Sequence, residues 1–592
     1  MNDDKRVTYF GLTDARNQER KFGIYDEDRL RHMYAIGKTG MGKSTLLENM
    51  AIQDIQNGQG LAFLDPHGKT VELLLEHVPK HRIKDVIYIA PFDLEHPIAF
   101  NVLEDVGDPD PVRRQLIVSG LMSTFKKLWQ DQWSARMEYI LNYALLALLE
   151  IPDATLLDVN RMLSDKQFRN NVVRQLKEPT VKMYWEKEFA AYTDKVVAEA
   201  MPAIQNKVGQ FISNSLIRNI IGQTKSSFDI REIMDQRKIL LINLSIGRIG
   251  EDAVNLLGSL FVTKIYLAAM SRASIPDREM KHLPNFYLYV DEFQNFTNDS
   301  FAQILAQARK YKLSLIVAHQ YVKQMTEVVH DAIFGNVGTM ITFRVGADDG
   351  ESLEKEFQPT FVVEDFVNLG RFQMYLKLMI NGVTSGAFSA KGMGPWPSPT
   401  ESYVDEILAS SREQYTHPRK EVEDHILQWT LGGASGTAAG GAPKPVSSDN
   451  ENMQGPVAAN TNNAPREPRQ QSSQPMQGPR DNRGGERGVD NRSQSSRPSQ
   501  PQSPRQPERS RDGNRDERAP VREREQQPRR DMQQNSAHNS APKVHNPFAT
   551  AFKAVLEKPV EEKKDASTES SSSQQKRDID PDVLKSMLGL QE

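Results

Sequence analysis

The octapeptide Gly37-Lys38-Thr39-Gly40-Met41-Gly42-Lys43-Ser44 sets glycines, a lysine and a hydroxyl in the spacing G-x-x-x-x-G-K-[ST]. That spacing holds phosphate. Gly37, Gly40 and Gly42 let backbone N–H groups close around phosphate oxygens, with Thr39 and Thr45 beside them. The N-terminus of a following helix adds partial positive charge. Lys43 then reaches the β- and γ-phosphates of a nucleoside triphosphate, and the Ser44 hydroxyl ligates Mg²⁺. A second group lies far downstream, where Phe286-Tyr287-Leu288-Tyr289-Val290 runs into Asp291-Glu292. An aspartate at this position holds the metal shell, and the next glutamate orients or deprotonates the attacking water. Ser44 and Asp291 are hard oxygen ligands, so ATP with Mg²⁺ is the expected pair.

These residues work only if strands and helices hold them. Met33 to Ile36 is a short apolar run before the loop, and Thr45 to Ile52 reads as the helix after it. Further strand-like runs are Leu61 to Leu64, Asp85 to Ile89, Lys238 to Leu244, Leu313 to Ala318 and Thr339 to Arg344. Near-continuous apolar strands are buried on both faces, as in a parallel sheet covered by helices. Alternation with helical runs such as Val254 to Met270 predicts a doubly wound α/β core. Its active residues belong at the C-terminal ends of the strands, where Asp65, Asp291 and Gln320 fall.

From about Asp108 to Gln223 the rhythm breaks into helix-like runs (Arg114 to Lys127, Ser134 to Leu149, Lys182 to Tyr192) without a strand. The expected organisation is therefore an N-terminal part of the core at 1–107 and an inserted all-α domain at 108–223. The C-terminal part of the core follows at 224–395, with a short helical extension at 396–431. Trp129, Trp133 and Trp185 read as core or interface aromatics of the insert rather than base-stacking platforms. From Leu431 to Pro547 there is no aromatic residue, and Gly, Pro, Ser, Gln, Asn and Arg dominate. Such a composition cannot offset its ordering entropy, so 432–592 is expected to be a long disordered C-terminal tail. Its arginine-rich part, Arg466 to Arg530, is either a salt-sensitive nucleic-acid contact or a solvated spacer. Two short segments near 546–556 and 580–590 carry helical spacing and are expected to fold on docking to a protein partner.

A formal net charge of −4 over 592 residues says nothing about partners. Absence of cysteine excludes disulfides and thiolate metal sites. The most apolar stretch by inspection, Tyr139 to Ile151, is too short to span a bilayer. His67 and His319 have no partner ligands at metal spacing, so His67 is read as shaping a turn and His319 as packing beside Gln320. Asp65 either assists the Mg²⁺ shell or caps the turn after its strand.

The phosphate loop, the turn Asp65-Pro66-His67-Gly68 and the segment His96-Pro97-Ile98-Ala99-Phe100-Asn101 resemble the HerA/FtsK superfamily. Val290-Asp291-Glu292-Phe293-Gln294-Asn295, Ala308-Arg309-Lys310-Tyr311 and Ala318-His319-Gln320 narrow the likeness. Together they are similar to the coupling-protein ATPases of type IV secretion and conjugation, the TraG/TraD-like group with a TraM-recognition region. The resemblance implies a RecA-like P-loop NTPase core working as a homo-oligomeric ring, usually hexameric, that moves DNA through its channel. It implies ATP between neighbouring subunits, with Gln320 sensing the γ-phosphate. Arg309 is the arginine offered to the neighbour's nucleotide, and Arg344 is the competing candidate. Many relatives carry transmembrane helices before the loop, whereas the 36 residues before Gly37 are mostly polar. The expectation is a cytoplasmic ATPase, docked by a separate membrane-anchored secretion component at the inner face of the cell membrane. A soluble HerA-like DNA translocase, a pilus- or protein-export ATPase and a nucleotide-switched scaffold are the alternatives.

Overall fold

In the computed structural model the described residues are 6–14, 18–104, 111–297 and 299–432. The arginine-rich stretch and both tail segments lie outside them. Strands run in chain order as β1 (Val7–Thr13), β2 (Lys21–Tyr25), β3 (Met33–Ile36), β4 (Gly60–Asp65) and β5 (Val86–Ile89). After the helical insert come β6 (Ile239–Asn243), β7 (Phe286–Val290), β8 (Leu313–His319) and β9 (Thr339–Thr342). The last are β10 (Gln373–Lys377), β11 (Met379–Ile380), β12 (Val383–Thr384) and β13 (Phe388–Gly392). All but the small β11–β12 hairpin join one 11-stranded sheet, ordered β2-β1-β13-β10-β9-β3-β8-β7-β4-β6-β5. From β9 to β5 every pairing is parallel. The antiparallel flank of β10, β13, β1 and β2 is an extension that the sequence reading did not foresee.

The strands sit inside because their side chains alternate between two apolar layers. Tyr34 and Ile36 of β3 enter one core, and Met33 and Ala35 enter the other. Helices Lys43–Gln56, Lys69–Glu76 and Val404–Tyr415 cover one face; Glu251–Met270 covers the opposite one with the insert. That helix, extended to Ser274, is the one described element long and apolar enough to cross a membrane, rather than Tyr139 to Ile151. Since 78% of its apolar window is buried inside the protein, it reads as the central core helix.

Between β5 and β6 the described chain is helical, from Pro111–Leu128 to Ser215–Ile221. Phe125 stacks on Trp129 at 4.9 Å between ring centres, and Phe211 closes on Trp129 at 5.6 Å. Trp129 and Trp185 are buried and Trp133 donates to Glu138, so these rings are packing groups. One correction concerns Lys182 to Tyr192. The helix Pro179–Met183 widens into a π-turn at Tyr184–Glu188 and tightens at Phe189–Ala191, where the cluster of Tyr184, Trp185 and Phe189 is accommodated. Asn101 ties the insert to the core: Nδ2 donates to Ala154 O (2.9 Å) and Thr224 O (2.8 Å). The extension helices lie on this same chain. Val404–Tyr415 packs on β5, with Tyr88 N donating to Ser411 Oγ. Arg419–Gly432 meets the insert, with Trp429 Nε1 donating to the buried Asp158.

Near the strand starts Arg29 is completely buried. It donates to both oxygens of Asp54 (2.8 and 2.7 Å), to Tyr289 Oη (2.7 Å) and to Thr8 Oγ1 (2.9 Å), and lies over the Tyr287 ring. Asp26 is 3.7 Å from the same guanidinium. Burial pushes its carboxyl up to about 6; Arg29 and Arg6 oppose this, as does a Tyr287 hydrogen bond, and Asp54 adds to it. A carboxyl raised above its unfolded value of 3.8 contributes stability that is full below that value and lost as pH rises through about 6. Asp26→Asn is therefore expected to flatten the acid side of the stability profile. At pH 8 it should stabilise by up to about 3 kcal/mol, at roughly 1.4 kcal/mol per pKa unit. Urea unfolding at pH 5 and pH 8 measures both effects.

Candidate active site

Sheet order decides what meets the phosphate loop. β8 lies between β3 and β7, so the loop after β3 is flanked first by the tip of β8 and then by the acids after β7. Gly40 (φ 75°) and Gly42 (φ 119°) occupy backbone space that side chains rarely adopt. Gly42 begins the helix Lys43–Gln56, whose first N–H groups thus open onto the loop. Lys43 is buried at that end, with Nζ donating to Gly37 O at 2.6 Å. Burial pushes its ammonium down, opposed by Glu292 and then Asp291.

Ser44 Oγ donates to Asp291 Oδ2 at 2.9 Å, so two hard oxygens that sequence places 247 residues apart share one point. Burial, and then the charge of Glu292, push the Asp291 carboxyl up to about 6. A cation there would relieve both causes, and this donor pair suits Mg²⁺ completed by substrate phosphate and water. Among the described residues no cluster of three His, Cys, Asp or Glu offers a rival metal site. Glu292 makes a left-handed turn (φ 48°) directly after β7. Both its carboxylate oxygens are held by amides: Gln320 Nε2 donates to Oε1, and Gln294 Nε2 to Oε2 at 2.8 Å. Gln320 also accepts from Thr39 Oγ1 at 2.9 Å, linking the loop to the acid pair.

Other residues take different places. Asp65 accepts from His67 N (2.8 Å), Thr70 N (2.8 Å) and Val71 N (3.2 Å), which is the turn-capping alternative. His67 is exposed. His319 is buried 4.9 Å from the Phe293 ring, with Nδ1 3.3 Å from Tyr34 Oη; burial pushes it down to about 3. Arg309 is exposed on the turn Ala308–Tyr311, which enters β8 at the end opposite Gln320. A seven-residue strand spans about 23 Å, so Arg309 does not serve its own loop. Arg344 does flank that loop, its carbonyl accepting from Lys38 N at 2.8 Å.

Four residues escaped the sequence reading. Gln294 stood in a quoted motif without a role. Lys127, on the insert helix Pro111–Leu128, donates to Gln294 O (2.7 Å) and Asn295 O (2.9 Å) and so fixes the turn that carries Glu292. No local signal could reveal a lysine that acts across 167 residues of sequence. Arg371 and Phe372, just before β10, border the loop at Gly40 and Gly42. Lys127→Met is expected to lower kcat about tenfold with KM unchanged, the equivalent of one lost hydrogen bond in the transition state. Steady-state kinetics, with Lys127→Arg as the rescue, provides the check.

A parallel sheet with a phosphate loop after β3 and an acid pair after β7 defines a P-loop nucleoside triphosphatase core. More particularly, the chain belongs to the family of the type IV secretion-system coupling protein DNA-binding domain, which matches residues 23–357. Similar solved structures include the plasmid coupling protein TrwB in complex with the non-hydrolysable GTP analogue GDPNP (14% identity, 64% of this chain and 90% of that chain, TM-score 0.48). TrwB in complex with ADP and Mg²⁺ is similar over 64% of this chain and 89% of that chain (14% identity, TM-score 0.47). VirB4 of Thermoanaerobacter pseudethanolicus is similar at 14% identity over 67% of this chain and 98% of that chain (TM-score 0.46). No curated protein sequence matches this chain.

Proposed function

We propose that this protein is an ATP-hydrolysing ring motor that couples a DNA or nucleoprotein substrate to a type IV secretion or conjugation-like transfer system. The observation that carries the reading is the meeting of Lys43, Ser44, Asp291, Glu292 and Gln320 at one edge of the sheet. Family membership supports the coupling role, and the family's DNA-binding description supports nucleic acid as cargo. In this reading the loop N–H groups and Lys43 hold the β- and γ-phosphates of ATP. Ser44 and Asp291 hold Mg²⁺, which when bound neutralises charge on the phosphate oxygens. Glu292 accepts the proton of the attacking water, and Gln320 ties that carboxylate to the loop.

Arg309 is the better trans-acting arginine, because its position at the far end of β8 is free to face a neighbouring subunit. Arg344 already borders its own nucleotide site. In the assembled ring, Arg309→Ala is expected to lower turnover at least about 10³-fold, the scale of a missing arginine finger. Unchanged turnover would transfer the role to Arg344. The ring is taken as hexameric, held at the inner face of the cell membrane by a separate membrane-anchored component.

ATP hydrolysis by the full-length protein, with and without DNA and beside Lys43→Ala, tests the whole reading. Strong DNA stimulation that Lys43→Ala abolishes is the expected result. Turnover indifferent to DNA would favour protein or pilus export. Binding without turnover would favour a switched scaffold.

A further inference from the structure

The phosphate loop gives a bound nucleotide a direction. Its γ-phosphate must face Asp291, Glu292 and Gln320, which lie on the β8–β7 side of β3. In the proposed function the ribose and base then leave on the other side of β3, where β9 and β10 follow in the sheet. Phe372 stands there, immediately before β10. Its ring reaches the loop: a methyl group added at Gly42 would lie 3.3 Å from Phe372 Cδ1 and 3.3 Å from Phe343 Cε1. Yet the side chain is 45% exposed, and its backbone is left-handed (φ 65°), which is uncommon for a bulky residue. The carbonyl of Phe372 accepts from Gly392 N at 2.8 Å, which holds that conformation. The guanidinium of Arg371 lies 4.7 Å from the ring centre, and Arg371 Nε is 3.4 Å from Gly40 O. An aromatic face is thus kept half open beside the phosphate site, on the side away from the hydrolytic acids.

We propose that Phe372, braced by Arg371, is the platform on which the base of the bound purine nucleotide stacks. The inference rests on the nucleotide-binding part of the proposed function. Stacking a base on an aromatic ring is favourable and tolerant of base identity, so the platform adds affinity without selecting ATP over GTP. The phosphates remain the business of the loop and Lys43.

Calorimetric titration of the full-length protein with Mg²⁺-ADP and with Mg²⁺-tripolyphosphate separates base from phosphate. Phe372→Leu keeps an apolar group over Gly42 and Phe343 but removes the π-face; Phe372→Trp restores it. The leucine variant is expected to bind ADP about tenfold more weakly, on the scale of a lost base–aromatic stack. Its tripolyphosphate affinity should be that of the wild type, and the tryptophan variant should recover ADP binding and show fluorescence quenching by the base. Equal weakening of both ligands would mean that the ring only shapes the loop, and would overturn the proposal. Unchanged ADP affinity would overturn it as well. Failure of the wild type to bind either ligand would remove the nucleotide reading itself, and the platform with it.

Discussion

Glu292→Gln is expected to lower ATP turnover by about 10²–10⁴-fold, the range for loss of a general base, while nucleotide still binds. The substitution is nearly isosteric, so Phe293 keeps its place in the core and the left-handed turn after β7 is undisturbed. What changes is the oxygen pair. In the native site one oxygen accepts from Gln320 and the other from Gln294. A glutamine side chain offers one oxygen and one N–H₂ group, so one of those amides must turn away. In the proposed mechanism the variant thus loses both the proton acceptor and half of its positioning. Single-turnover hydrolysis with a parallel nucleotide-binding titration measures the two consequences separately. Turnover within twofold of the wild type would assign the base to another residue.

The largest expected loss of stability lies elsewhere, at Arg29. Arg29→Ala should destabilise the fold by about 3–5 kcal/mol, because it leaves the Asp54 carboxylate buried without its counter-charge. Asp54 is 1% exposed, and the guanidinium supplies both of its oxygens with donors. Tyr289 Oη also donates to Asp54, but one neutral hydroxyl cannot compensate a buried charge. Removing both charges should be far milder. Arg29→Met combined with Asp54→Leu exchanges the ion pair for apolar volume, a change that is often neutral or stabilising. Urea unfolding of the single and double variants decides the matter. Similar losses in both would show that shape rather than charge pairing holds this corner, and an unaffected single variant would remove the argument altogether.

Much of the site was legible because its chemistry is local. The loop from Gly37 to Ser44 is contiguous, and its glycine positions are required by backbone geometry alone. The acids after β7 follow an unbroken apolar strand, so their exit at a sheet edge could be read from hydrophobicity. Gln320 was legible as a residue at a strand end and took its role from resemblance; the reason for its position is the insertion of β8 between β3 and β7. Less legible were residues whose partners are remote. Arg29 reads as one more charge in Asp26–Arg29, yet it ends wholly buried against residues 21 to 260 positions away. Phe372 carries no motif, and only the placement of β10 beside β9 brings it to the loop. The antiparallel flank was missed although β1–β2 and β10–β13 are pairings of strands close in sequence; what joins them into one flank is the remote pairing of β1 with β13.

By itself, then, the amino-acid order determined the parts: a glycine-rich loop of phosphate-binding spacing, an acid pair after an apolar strand, a two-face parallel core and an inserted run of helices. Those follow from residue spacing and from side-chain periodicities of 2 and 3.6, which are properties of neighbours along the chain. Only the tertiary structure decided which side chains meet. Strand order placed Gln320 between loop and glutamate, the insert delivered Lys127 to the turn behind Glu292, and Asp54 found its counter-charge in Arg29. Such contacts join residues far apart in sequence, and their strength comes from burial that no local window of sequence contains.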